Sequence, residues 1–151
     1  MRRIIIIGAS HHNTLSVVRC IGEAFGQIEL VIVGCVKSFV SKSKYVKNAT
    51  FLKDADALYQ WAMNNKGQDK PIIISCADGV SQVFDMHYEE VHSYYDFFNA
   101  GADGVLTAFM DKQRQVELAK EVGFATPISA CYTNKDLSLI HISEPTRHAQ
   151  I

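Results

Sequence analysis

The residues best able to do chemistry stand in three places. The first is the turn Gly8-Ala9-Ser10-His11-His12, which follows an apolar run and precedes a helical pattern. Amides at the start of a helix attract anions, so this turn can hold a negatively charged group. Only Gly8 of a G-x-G-x-x-G fingerprint is in place, so a dinucleotide site is not expected. A plain strand-to-helix turn accounts for the same residues equally well. The second place is Asp78, positioned to cap a helix beginning near Gly79 and, at a strand end, to meet a ligand. The third is "MDKQRQVELAKEVGFATP", Met110 to Pro127. Asp111 is its predicted N-cap, Leu118, Ala119 and Val122 its apolar face, Gly123 its stop, and Pro127 forbids continuation. Lys112 follows the cap directly, where a cation slightly opposes the helix dipole.

The remaining reactive side chains group poorly. His11 and His12 are adjacent and diverge in regular structure. His87 and His92 are five apart rather than the three or four that align metal ligands on a helix. The four cysteines, Cys20, Cys35, Cys76 and Cys131, contain no CxxC pair, which suits reduced, buried thiols. Ser41, Ser43 and Tyr45 form a polar loop, either solvated or in contact with substrate. Glu89, Glu90 and Asp96 show no acid–base partner. Tyr94, Tyr95, Phe97 and Phe98 suit packing.

The elements that must position these residues follow from hydrophobic patterning. "RIIIIG" (Arg3 to Gly8), "IELVIVG" (Ile28 to Gly34) and "PIIIS" (Pro71 to Ser75) read as short buried strands. Leu15, Val18, Ile21 and Phe25 recur at helical spacing before Gly26, giving a strand–helix–strand unit. "SFVSKSKYVKNATF", Ser38 to Phe51, reads as a polar loop. Asp54 or Asp56 caps a helix carrying Leu58, Trp61 and Ala62. A further helix sets Val80, Val83, Phe84 and His87 along its inner stripe. "YYDFFNAG", Tyr94 to Gly101, is an edge strand or a packed loop, and a short apolar helix spans Gly104 to Met110. Alternating strands and helices predict an open, mainly parallel α/β sheet with helices on both faces, Rossmann-like, with ligands beyond the carboxyl ends of the strands.

Composition narrows the class. The 151 residues are 48% hydrophobic with a formal net charge of -1, so nothing draws the chain toward nucleic acid or an anionic membrane. The longest apolar run, Ile4 to Ile7, is far too short to span a bilayer. A cytoplasmic location is expected, without a secretory signal.

The segment from Asp111 to Pro127 resembles the opening of the ATP-grasp domain. There an Asp-Lys pair starts a helix, an alanine sits mid-helix, and the helix runs into Gly-hydrophobic-x-x-Pro. Here these are Asp111, Lys112, Ala119, Gly123, Phe124 and Pro127. The preceding α/β region, with its serine- and base-rich "SKYV" loop (Ser43 to Val46), is similar to the domain placed before ATP-grasp in carboxylate–amine ligases. The resemblance runs from Arg2 to about Asp136. It implies a pre-ATP-grasp domain over residues 1–109 and a truncated ATP-grasp start over 110–136. It also implies a ligase that activates a carboxylate as an acyl phosphate with ATP and Mg²⁺ and joins it to an amine. By the same resemblance Lys112 contacts the ATP phosphates, while Gly8, Ala9, Ser10 and Asp78 face the small-molecule carboxylate or amine. Homo-oligomers are compatible with it. Competing expectations are a self-contained flavodoxin-like or receiver-like module and the first domain of a nucleotide- or sugar-modifying transferase.

"LSLIHISEPTR", Leu137 to Arg147, resembles the in-frame translation of a transposase-type sequencing-library adapter. This implies that residues 137–151 are a foreign tail. The competing reading is a native strand with alternating apolar residues. A foreign tail implies that the second phosphate lysine, the glycine-rich lid and the Mg²⁺ ligands of the family are missing, so this chain would be inactive.

Overall fold

The computed structural model of the chain describes residues 2–126. The chain divides into two units, Met1–Met110 and Asp111–Ile151. The first contains β1 (Ile4–Gly8), α1 (His12–Phe25), β2 (Ile28–Val33), a 3₁₀ turn (Phe39–Lys42), β3 (Val46–Leu52), α2 (Ala55–Asn64) and β4 (Ile72–Ser75). It continues with α3 (Asp78–Met86), α4 (Tyr88–Val91) and α5 (Val105–Met110). The described part of the second unit is α6 (Lys112–Glu121) and the residues that flank it.

The four strands form one sheet in the order β3-β2-β1-β4, and every pairing is parallel. The run of isoleucines explains its centre. Successive side chains point to opposite faces, so Ile5 and Ile7 enter one core and Ile6 the other. Both faces are covered, which is what a parallel sheet requires. On one face Val18 of α1 and Val40 of the 3₁₀ turn pack on Ile6, Ile28, Leu30 and Ile32. On the other, Leu58 and Ala62 of α2 and Val80 and Phe84 of α3 pack on Ile5, Ile7, Val31 and Ile73. This is the open α/β architecture expected from the alternation of elements. Among the described residues no helix is long and apolar enough to cross a membrane.

Three local expectations need correcting. Val46–Leu52 is not loop but an edge strand, paired to β2 from Ile28↔Val46 to Val33↔Leu52 with a register shift at Ile28/Glu29. Its one free edge leaves Lys47 and Asn48 exposed, so the apolar alternation that marks a strand is weak there. Asp78 does not cap α3. It is the first helical residue, and the cap position is Ala77, which has no side-chain bond to give. His87 ends α3 half-exposed, stacked on Tyr59, instead of lining the inner stripe. The aromatic stretch after α4 resolves as a loop with a single bridge. Ile73 N donates to Asp96 O at 2.7 Å, and Asp96 N donates to Pro71 O at 3.0 Å. Tyr95 is buried beside it and donates its hydroxyl to Ala62 O at 2.7 Å. Burial pushes its phenol up to about 12.

Candidate functional site

In this sheet the chain runs outward from β1 through β2 to β3, then returns to place β4 on the other side of β1. The order 3-2-1-4 is that of the dinucleotide-type doubly wound sheet, not the 2-1-3-4-5 order of flavodoxin-like sheets. Reversal occurs between β1 and β4, and the loops leaving their carboxyl ends diverge toward helices on opposite faces. Such a switch point is where open α/β sheets bind ligands. The structure brings all four residues singled out in the sheet unit, Gly8, Ala9, Ser10 and Asp78, to this edge.

Each has a distinct local setting. Gly8 is buried, and a Cβ there would lie 2.6 Å from Thr14 Oγ1 and 2.9 Å from Cys76 Cβ. The absence of a side chain lets the first turn of α1 and the end of β4 close over β1. Cys76 N completes that junction by donating to Ile7 O at 2.8 Å. Ala9 is exposed, and its carbonyl accepts from Thr14 Oγ1 at 2.8 Å and from His11 N at 2.8 Å. Ser10 Oγ lies 2.9 Å from Ser38 Oγ, and Ser38 in turn accepts from Val40 N at 3.1 Å. The β1–α1 turn is thereby tied to the 3₁₀ turn. His11 is the N-cap of α1, its Nδ1 accepting from Asn13 N at 3.4 Å. The His12 ring lies against Phe39, 5.5 Å between centroids. Asp78 is exposed, and among the described residues its carboxylate has no hydrogen bond or ion pair. Nearby, Ser75 Oγ at the end of β4 and Ser81 Oγ in α3 are 2.6 Å apart.

The edge therefore presents hydroxyls, one unpaired carboxylate and two imidazoles. These groups can orient a small polar ligand by hydrogen bonding. Burial pushes the Cys76 thiol up to about 11, so it stays protonated near neutrality and is a poor nucleophile. Among the described residues no three His, Cys, Asp or Glu side chains stand where one metal ion could be held.

Lys112 belongs to the second unit. Asp111 caps α6 by accepting from Arg114 N at 2.8 Å. The helix ends in a Schellman arrangement, with Gly123 N donating to Lys120 O at 3.0 Å and Phe124 N to Ala119 O at 2.8 Å. Gly123 adopts φ 81°, which a side chain would strain. Lys112 is exposed in the first turn, and among the described residues it forms no ion pair, whereas Arg114 pairs with Glu117 and Glu121. Its ammonium is thus available for one phosphate contact. Pro127, the segment Thr126–Tyr132 beyond its first residue, and the adapter-like residues 137–151 lie outside the described residues.

Two clusters had no signal in the sequence. Tyr59 Oη donates to Glu90 Oε2 at 2.8 Å, and His87 Nδ1 lies 3.2 Å from Glu90 Oε1. Glu90 therefore has partners: His87 stands three residues before it, whereas Tyr59 comes from α2, far away in the chain. Likewise Asp96 pairs with Arg2 at 2.7 Å. Ser38 was legible only as part of a polar loop, although a serine before an apolar pair is a usual cap for a short helical turn.

No protein-family model matches the chain, and no curated protein matches it.

Proposed function

We propose that this chain is the amino-terminal part of an ATP-dependent ligase that joins a carboxylate to an amine through an acyl phosphate. The reading rests on one feature above the rest: a lysine placed directly after the aspartate cap of α6, on a helix closed by Gly123-Phe124, immediately following an open α/β unit. A triphosphate and a transferring phosphoryl group need cations, amides and Mg²⁺ to offset their charge. Lys112 supplies one such cation. When bound, ATP with Mg²⁺ would supply the phosphoryl group that activates the carboxylate. The switch-point loops with Ala9, Ser10 and Asp78 orient the small-molecule substrate, and Gly8 keeps the edge closed beneath them. The ligase works in the cytoplasm on diffusible substrates.

Calorimetric titration with Mg-ATP tests this. The 151-residue chain is expected to give no micromolar binding, because one lysine cannot hold a triphosphate. A longer protein, in which the gene's native continuation follows Asp136, is expected to bind. In it Lys112→Ala should weaken affinity by about tenfold or more, the usual worth of a bond to a charged group. Micromolar affinity in the 151-residue chain that persists in Arg19→Glu, a change away from α6 and the switch point, or unchanged affinity in the longer Lys112→Ala variant, would sink the proposal.

A further inference from the structure

Away from the switch point, Arg19, Glu23, Lys42, Ser43, Lys44 and Tyr45 line a cleft of about 370 Å³. It lies between the second half of α1 and the loop that enters β3, so it opens at the amino end of β3, whereas the switch-point loops leave carboxyl ends. The cleft is built on a fixed frame. A Cβ on Gly22 would overlap the Tyr45 side chain, so the bare Cα lets the loop lie against α1. Val40 anchors the start of the loop in the core. Ser43 N donates to Val40 O at 3.1 Å, Val46 N to Ser43 O at 3.0 Å, and Ile28 N to Tyr45 O at 2.9 Å. The backbone carrying Lys42 and Lys44 is held at both ends, across from Arg19.

Three cations share this cleft with a single carboxylate, Glu23. Among the described residues none of the three forms an ion pair, although Arg2, Arg3, Lys70 and Arg114 all do. Lys44 Nζ instead lies 5.0 Å from the centroid of the Tyr45 ring. Three cations gathered on an ordered frame with one carboxylate leave an excess of two positive charges, and an anion of two or more charges offsets that excess. Arg19 and the lysines can supply charge-assisted donors and Ser43 a neutral one. The volume is at the small end of small-molecule clefts. The overall charge of -1 does not favour a long polyanion. From these observations we infer that the cleft is a binding site for a phosphate-bearing small molecule, separate from the switch-point edge and independent of the ligase reading.

The probe is inorganic pyrophosphate, titrated into the ¹⁵N-labelled 151-residue chain at low ionic strength. Saturable shifts are expected at the amides of Ser43, Lys44 and Tyr45 and at the Arg19 side chain, weakening as added salt screens exposed charge. Arg19→Glu should weaken binding about tenfold or more. Lys53→Glu, at a cation paired with Asp54 outside the cleft, should leave it unchanged. Gly22→Ala should also weaken it by pushing Tyr45 away from α1. If circular dichroism shows that this variant is unfolded, Arg19→Glu decides alone. The inference is overturned by the absence of saturable shifts, by shifts confined to the switch-point loops, or by equal losses in Arg19→Glu and Lys53→Glu. A single-stranded RNA that displaces pyrophosphate with greater affinity would also overturn it.

Discussion

The sheet unit and the α6 segment hold their shapes for opposite reasons. In the sheet unit the isoleucine strands are sealed between two cores, and Ile6, Ile7, Val18 and Ile32 have no exposed surface. In residues 111–126 none is buried; Val122 and Phe124 are 69% and 71% exposed. Yet α6 has the cleaner local signals, with a bonded aspartate cap and a Schellman close. β3, whose local signals are poor, is held by its ladder to β2, interrupted by one register shift. Local chemistry thus marks where an element begins and ends, whereas burial and pairing give it stability. A ten-residue helix is marginal without packing.

The largest expected effect sharpens this contrast. Ile6→Ala should cost about 2–5 kcal/mol of unfolding free energy, measured by urea denaturation, since it opens a cavity in the core. Val122→Ala on the α6 segment should stay within about 0.5 kcal/mol, as for other exposed positions. Equal effects would erase the distinction between the two regions.

Asp85 comes next. It is buried near the end of α3 and its carboxylate meets the start of α5, where Oδ1 accepts from Leu106 N at 3.1 Å and Oδ2 from Thr107 N at 2.6 Å. Gly104 N also donates to its carbonyl at 3.0 Å. Asp85→Ala leaves two partly buried amides without acceptors and should cost about 1–3 kcal/mol. Hydrogen exchange should locate the loss in α5. If α5 keeps its protection, the carboxylate is not what holds that helix to α3.

Asp111→Ala should cost α6 about 1 kcal/mol of helix stability. The change should appear in α6 carbon chemical shifts, while the urea midpoint of the sheet unit stays put. A moved midpoint would mean that the two units unfold together.

The smallest effect is a titration. The Tyr59 hydroxyl bonded to Glu90 holds that carboxyl below the usual carboxylate range, and His87 adds to the shift. Its folded pKa lies below the unfolded value of about 4.3, so the contribution is present above that value. It is lost as pH falls through the folded pKa. Tyr59→Phe should return the Glu90 carboxyl, followed by carbon NMR, toward the ordinary range. No change in its titration would show that the hydroxyl is not the cause.

The sequence by itself determined the features that depend on neighbours within a turn or two. These are the isoleucine strands, the helix of Leu15 and Val18, the cap at Asp111, and the closure at Gly123, while the cap of α2 was narrowed to Asp54 or Asp56 and the structure puts it at Asp54. The α/β class followed from their alternation. Of the candidate site, the strand-end turns around Gly8 and Asp78 were legible because a strand must end before a helix begins.

Only the tertiary structure decided the rest. It turned Lys47, Asn48 and Thr50 into part of a strand, ordered the strands β3-β2-β1-β4, and so put the β1 and β4 loops side by side. It moved the cap of α3 to Ala77 and paired Ser10 with Ser38, Asp96 with Arg2, and Glu90 with Tyr59. It also fitted Gly22 to Tyr45, setting Arg19 opposite Lys42 and Lys44. The physical reason is sequence separation. Backbone pairing, side-chain contact and charge clustering depend on distance in space, and residues as far apart in the chain as Ser10 and Ser38 or Arg2 and Asp96 carry no local mark of the partners that folding brings to them.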